Sequence, residues 1–99
     1  MRNMASITLD GTAQNLKDAI GDRAPQEASL LIMQAPSANG NIAYFGNSAL
    51  QLFELAAGDP FYYVPADIDS GRINLGETYI KGTASDKLTV AWIPYGEVE

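Results

Sequence analysis

The alternation of apolar and polar residues is clearest near the C-terminal end, over residues 78–93. Residues 78–81 alternate small polar with large side chains, and residues 87–93 place Leu88, Val90 and Trp92 on one face. Residues 82–86 lie between them and contain a glycine and short polar residues, as turns do. This pattern predicts a β-hairpin, with the chain's single tryptophan pointing inward to anchor the core.

Five further segments upstream have strand-like patterns, and turn residues bound each of them. They cover residues 5–9, 28–34, 41–45, 50–55 and 61–64. A short helix is predicted over residues 12–20, with Thr12 as its N-cap and Gly21 as its C-terminal stop. Its apolar side consists of Leu16, Ala19 and Ile20. At about two turns it needs support from the sheet.

The predicted elements indicate an all-β protein with one short helix, folded as an antiparallel β-sandwich. A jelly-roll, a Greek-key sandwich and a small barrel all fit this pattern. With 99 residues the chain is a single domain, 1–99. Residues 1–27 are assigned to an N-terminal arm, a strand and the helix, residues 28–93 to the sandwich core and residues 94–99 to a tail. Residues 67–76 are expected to form an irregular loop that rests Ile68, Ile73 and Leu75 on the core.

The charge balance disfavours several classes of partner. Twelve acidic and six basic residues give a net charge of -6, which repels nucleic acid and anionic membranes. The chain has no cysteine, its start lacks the apolar run of a signal peptide, and its longest apolar runs, such as residues 30–33, contain only four residues. We therefore expect a soluble protein made in a reducing cytoplasm, with no nucleic-acid or membrane partner.

The residues needed for common catalytic chemistry are largely missing. The absence of histidine excludes a Ser-His triad and histidine metal ligation, and the glycines are isolated turn residues. Asp67 and Asp69, with Glu77 beyond them, are the best candidates for a calcium site. The glycine at position 71 comes one residue too early for a helix–loop–helix site, so we interpret this segment as a turn. We expect neither enzymatic activity nor a cofactor.

Several predicted strands are apolar on both faces, which an isolated sandwich does not need. Residues 28–34 and 61–64 show this, and tyrosine and phenylalanine are enriched where proteins meet. The sequence therefore predicts a permanent protein–protein contact, most simply homomeric, with the segment before Ile7 as a candidate arm. The alternative is that loops and the helix cover these faces. The candidate interface residues are Tyr44, Phe61, Tyr62, Tyr63 and Tyr95.

Four segments together resemble small virion proteins of tailed bacteriophages. They are Leu-Ile-Met-Gln-Ala-Pro-Ser-Ala-Asn at 31–39, Ala-Tyr-Phe-Gly-Asn-Ser at 43–48, Leu-Phe-Glu-Leu-Ala-Ala-Gly-Asp at 52–59, and the predicted final strand pair at 77–90. The resemblance covers roughly residues 28–93. Residues 67–73 depart from the pattern of these virion proteins and look like an insertion. The predicted helix at 12–20 also departs from it, because such proteins often have another strand at this position.

The resemblance implies a β-sandwich structural protein of a phage particle. Such proteins occur as capsid decoration, or cement, proteins that bind the major capsid protein, often as trimers on the outer shell. The chain would then be made in the bacterial host cytoplasm and reside on the capsid exterior of the virion. The alternative is a neck- or tail-associated component, or a receptor- or glycan-binding module of the particle.

Overall fold

The computed structural model describes residues 3–22, 24–60, 62–64 and 71–96, with the backbone alone described for Tyr62 and Tyr63. Its strands are β1 (Asn3–Thr8), β2 (Gln14–Asn15), β3 (Glu27–Gln34), β4 (Ala43–Gly46), β5 (Phe53–Leu55), β6 (Tyr62–Tyr63), β7 (Ile73–Asn74), β8 (Tyr79–Lys81) and β9 (Lys87–Pro94). One helix, α1 (Leu16–Ile20), follows β2, and a 3-10 turn (Leu75–Glu77) follows β7.

These strands form two antiparallel sheets. The first contains five strands in the order β1-β9-β3-β6, with β7 also pairing with β3. The second contains four strands in the order β2-β8-β4-β5. Among the described residues the two sheets remain separate, as in a sandwich and not as in a closed barrel. The predicted all-β antiparallel fold with one short helix is confirmed, and the strand order is compatible with a jelly-roll.

The core lies between the two sheets because each strand directs alternate side chains inward. Leu88, Val90 and Trp92 of β9 are fully buried, as are Leu31 and Met33 of the neighbouring strand β3. The second sheet contributes buried side chains from β4, β5 and β8, namely Ala43, Phe45, Leu55 and Ile80. The prediction that Trp92 anchors the core is confirmed.

The predicted C-terminal hairpin is wrong. β8 pairs with β2 and β4, whereas β9 pairs with β1 and β3, so the chain passes from one sheet to the other between them. The connection pairs instead with Leu9, whose N–H donates to the Asp86 carbonyl at 2.8 Å and whose carbonyl accepts from the Ser85 N–H at 3.0 Å. Glycine and short polar residues serve a corner between sheets as well as a hairpin, so the turn sequence alone does not distinguish them.

The sequence predicts the end of the helix correctly but not its start. Gly21 ends α1 with a φ of 93°, and Leu16 is buried while Ala19 and Ile20 pack against the core. The N-cap is Asn15, whose side chain accepts from the Asp18 N–H at 3.2 Å.

Thr12, the predicted N-cap, makes a different local contact. It donates its N–H and its hydroxyl to the Asp10 carboxylate. The Thr12 hydroxyl, followed by its backbone N–H, lowers the pKa of Asp10 below its ordinary value. Thr12 therefore belongs to the turn after β1 and not to the helix.

Two other sequence assignments change in the structure. The segment before Ile7 is predicted as a candidate arm, but Asn3–Ser6 pair with β9, so this described part is a strand. β1 joins the five-stranded sheet and β2 joins the four-stranded sheet, so the described part of the N-terminal segment contributes to both sheets. In the predicted loop 67–76, Ile73 and Leu75 are buried as expected, while Ile68 lies outside the described residues.

Candidate protein interaction surfaces

The outward side of the five-stranded sheet carries an apolar surface. We call it the sheet face and define it as Met4, Leu30, Ile32, Ala91 and Ile93. Leu30 and Ile32 are the outward residues of β3, the strand predicted to be apolar on both faces, and both remain only half-buried. Met4 is 51% exposed. The described loops and helix therefore do not fully cover this side of the sheet.

The centre of the sheet face is a shallow depression. Met4 and Ile32 lie opposite Ala91 in the neighbouring strands on either side of it. Because the alanine side chain is much shorter than its two neighbours, Ala91 forms the floor and Met4 and Ile32 form the walls. Gln34 and Thr89 line the polar end, and the depression has a volume of about 190 Å3. Its shape suits an apolar side chain that projects from another molecule.

Within β1, β3 and β9 the sheet face carries little negative charge. Other outward positions on β1, β3 and β9 are occupied by Ser6, Thr8, Gln34, Lys87 and Thr89. The only acidic residue in these three strands is Glu27, at the beginning of β3, and its carboxylate pairs with Arg72 at 3.0 Å. These three strands therefore add little like-charge repulsion when a negatively charged molecule, including a second copy of this chain, approaches the face.

A second apolar surface lies at the turn that connects β4 to β5. We call residues 47–53 the hairpin tip. Leu50, Leu52 and Phe53 are 59%, 70% and 59% exposed. The Phe53 ring stacks on Phe45 with the ring centroids 5.1 Å apart, so one of its faces rests on the core and the rest is open. Together these side chains are an exposed apolar cluster of the kind that marks contact sites.

Hydrogen bonds within the hairpin tip fix its backbone. The Asn47 side-chain oxygen accepts from the N–H groups of Ala49 and Leu50, both at 2.9 Å. The Asn47 N–H donates to the Leu50 carbonyl at 3.0 Å. Beside the tip is an open cleft of about 380 Å3, lined by Phe53, Val64 and neighbouring residues. The tip therefore presents its leucines from a defined loop.

Gly46 allows this loop to fold back on the strand. A Cβ at this position would collide with the Leu50 carbonyl oxygen and lie 2.9 Å from the Gln51 Cα. We expect Gly46→Ala to displace the tip and to lower the free energy of unfolding by about 1–3 kcal/mol, the usual range for overpacking. Urea denaturation measures the loss, and methyl NMR shifts of Leu50 and Leu52 report the displacement.

Gly40→Ala is the matched control for this prediction, since nothing lies within 4 Å of a Cβ built at Gly40. Its stability should stay within about 0.5 kcal/mol of the unsubstituted protein. Equal effects of the two substitutions would show that the close approach at Gly46 does not determine the tip conformation.

The outward side of the four-stranded sheet has a different character. Tyr44 lies between Lys81 and Glu54 on the adjacent strands, and Tyr79 is on the same face of the sheet. Both tyrosines are half-buried, and the two charged residues are exposed. We call these four residues the aromatic face. It combines rings with charges of both signs, as contact surfaces between separately stable proteins do.

Tyr95 directly follows β9 and contacts a local ion pair. The Arg72 guanidinium lies over its ring, 4.7 Å from the centroid, and pairs with the Glu27 carboxylate at 3.0 Å. The hydrogen bond from Arg72 to Glu27 raises the pKa of the arginine. Because arginine is already charged at any ordinary pH, this increase does not change its charge. One side of the Tyr95 ring is therefore occupied, and the ring is half-exposed.

The structure separates the predicted interface residues. Tyr44 belongs to the four-stranded sheet and Tyr95 follows the last strand of the five-stranded sheet. The backbone of Tyr62 and Tyr63 pairs with Met33 and Ile32, and Phe61 lies outside the described residues.

Sequence reasoning missed the most exposed apolar residues, namely Met4, Leu50, Leu52 and Phe53. One available signal is that the sequence from Ala28 to Phe53, which contains the hairpin tip and all of β3 except Glu27, has no charged residue. Strand periodicity draws attention to the tyrosines. The absence of charged residues instead marks the stretch that contains Leu50, Leu52 and Phe53.

Neither a metal cluster nor a membrane span is found in the described ranges. No group of three or more His, Cys, Asp or Glu side chains there is arranged to hold a metal ion. Asp67 and Asp69, the residues of the calcium alternative, lie outside these ranges. Across residues 3–22, 24–60, 62–64 and 71–96, no helix has the length and apolar character needed to span a membrane.

Comparison of the chain with protein-family profiles, with curated protein sequences and with solved structures found no match.

Proposed function

We propose that this chain is a structural component of a tailed-phage particle, a capsid decoration protein that binds and stabilises the major capsid shell as a homo-oligomer. The observation that carries the proposal is the set of apolar and aromatic surfaces on this sandwich, which its described loops and helix do not cover. Surfaces of this kind mark protein–protein contacts. The phage assignment itself comes from the resemblance of residues 28–93 to small virion proteins.

The strand order gives support at the level of fold. We interpret the orders β1-β9-β3-β6 and β2-β8-β4-β5 as a jelly-roll with β7 as an addition. Jelly-rolls include viral capsid domains as well as lectins. Because one fold hosts many functions, this analogy is compatible with both a shell protein and a glycan-binding module.

The aromatic face is the surface that we assign to the shell. Contacts between separately folded partners are less apolar than permanent homomeric ones, and they are enriched in tyrosine. Tyr44, flanked by Lys81 and Glu54, matches that composition better than the sheet face does. Phe61, Tyr62, Tyr63 and Tyr95 remain proposed contacts of the oligomer or the shell.

We expect the capsid shell to be stabilised by many repeated contacts. Each buried Å2 of apolar surface contributes ~25 cal/mol, so a contact of a few hundred Å2 is modest when taken singly. A symmetric oligomer that spans neighbouring capsid subunits makes several such contacts at once, and their combined strength exceeds each affinity. The net charge of -6 suits the capsid exterior, away from packaged DNA.

Tyr44→Ala tests the shell contact. We expect shell affinity to fall at least tenfold, because truncation of a central aromatic anchor removes more than about 1.4 kcal/mol. Tyr44→Phe keeps the ring and should retain most of the affinity, while Asp18→Ala on the exposed side of α1 should have no effect. Binding is measured by co-sedimentation with shells that lack the protein. An unchanged affinity of the alanine variant would remove Tyr44 from the interface.

Copy number distinguishes the decoration protein from the neck or tail alternative. Quantitative mass spectrometry of purified particles should give a copy number comparable with that of the major capsid protein. A few copies per particle would reject the decoration role and favour a neck or tail position.

The exposed ring of Phe53 beside its cleft supports a second candidate, a glycan-binding module of the particle. Apolar pockets with open aromatic surfaces accept small ligands. Saturable binding on a glycan array that is lost in Phe53→Ala would favour this function over the shell role.

A further inference from the structure

We infer that the hairpin tip of one copy inserts into the depression of the sheet face on a second copy, and that successive contacts of this kind close a ring. The inference rests on the homo-oligomer of the proposed function and specifies how its copies meet. It does not depend on whether the shell is the other partner.

The two surfaces differ in shape. The depression has the short side chain of Ala91 as its floor and Met4 and Ile32 as its walls. Leu52 in the hairpin tip is the most exposed large apolar side chain among the described residues, at 70%. A projecting leucine and an apolar depression are complementary, and burying both removes apolar surface from water.

The two surfaces also avoid the main electrostatic obstacle to self-association. Each copy carries a net charge of -6, so carboxylates near a homomeric contact would repel one another. Residues 47–53 contain no charged residue, and the single carboxylate within β1, β3 and β9, that of Glu27, is paired with Arg72. Residues 47–53 and these three strands therefore bring no unpaired carboxylate into the contact, and the nearest carboxylate along the chain from the tip is that of Glu54, directly after Phe53.

A second copy is the occupant that this structure favours, because both complementary parts belong to one chain. The same face on two copies, paired across a two-fold axis, would set one depression against another and leave the space between them unfilled. Voids of that kind forfeit packing contacts. The tip fills the depression, so the contact joins different surfaces on the two copies.

A contact between different surfaces forms a ring when its rotation closes. In a ring each copy contributes both its tip and its sheet face, so every copy has two interfaces. The second interface adds its strength to that of the first, so a closed ring is more stable than an open pair.

Complementation between two variants tests this arrangement. Leu52→Asp disables the tip and leaves the depression intact, whereas Ile32→Asp disables the depression and leaves the tip intact. Each variant alone should bind itself at least tenfold more weakly and run as a single 10.6 kDa chain in size-exclusion chromatography with light scattering. An equimolar mixture retains one intact contact and should form a dimer. Ala13→Asp adds the same charge at an exposed site elsewhere and should keep the full oligomeric mass.

Four results would overturn the inference. The first is an unsubstituted protein that is monomeric at micromolar concentration. The second is loss of mass in Ile32→Asp but not in Leu52→Asp, which would indicate a face-to-face dimer. The third is a mixture that stays monomeric, and the fourth is full mass in both variants. If circular dichroism shows that an Asp variant is unfolded, Ile32→Thr and Leu52→Ser take its place in the same comparison.

These measurements use the isolated protein, so they separate this inference from the proposed function. A failed complementation with normal shell binding would reject the ring contact alone. A successful complementation without shell binding would reject the shell role and leave the homomeric contact in place.

Discussion

Trp92→Ala is expected to lower the free energy of unfolding by about 3–5 kcal/mol, the usual result of truncating a buried aromatic side chain. Trp92 is fully buried in β9, which is paired on both sides by β1 and β3. Truncation therefore leaves a cavity in the middle of the core, where the surrounding strands have little freedom to collapse. A domain of this size has a total stability on the order of 5–15 kcal/mol, so the variant should lose a large fraction of it.

Urea denaturation followed by far-UV circular dichroism measures this loss, because the substitution also removes the only tryptophan fluorophore. Trp92→Phe is the matched control, since it retains an aromatic ring and leaves a smaller cavity. Its loss should be clearly below that of the alanine variant. An alanine variant within about 1 kcal/mol of the unsubstituted protein would show that Trp92 is not the centre of the core.

Asn39→Ala is expected to lower the free energy of unfolding by about 2–4 kcal/mol, because it removes two hydrogen bonds to backbone groups. The Asn39 amide nitrogen donates to the Lys87 carbonyl at 2.7 Å, and its oxygen accepts from the Lys87 N–H at 2.8 Å. Asn39 is only 8% exposed, so water cannot easily replace both partners. This side chain joins the loop after β3 to the beginning of β9.

Asn39→Asp tests the hydrogen bond that the Asn39 amide nitrogen donates to the Lys87 carbonyl. The carboxylate can still accept from the Lys87 N–H, but it places a second oxygen against the Lys87 carbonyl. At neutral pH we expect a loss of stability at least as large as that of the alanine variant, measured by the same urea titration. Ser37→Ala, at an exposed position in the same loop, is the control and should stay within about 0.5 kcal/mol of the unsubstituted protein. A stable Asn39→Asp protein would show that the donor contributes little.

The interaction surfaces were only partly predictable from the sequence. Period-two alternation identified β3 as apolar on both faces, and the structure leaves Leu30 and Ile32 half-buried. The sequence also grouped Tyr44 with Tyr95 as candidate interface residues, but the structure assigns them to different parts of the sandwich. The sequence did not reveal that Leu52 is exposed. A leucine before a short strand has the same local sequence pattern whether its side chain is buried in the core or exposed to solvent.

The sequence by itself determined the fold class, the inward residues of β9 and the end of α1 at Gly21. These depend on local alternation and on backbone preferences that each segment carries with it. The tertiary structure decided which strands pair, so it turned the predicted hairpin of β8 and β9 into a crossing between sheets. It also decided that Ala91 lies between Met4 and Ile32. Pairing joins residues far apart in the chain, and its free energy comes from the shared core, which no single segment encodes.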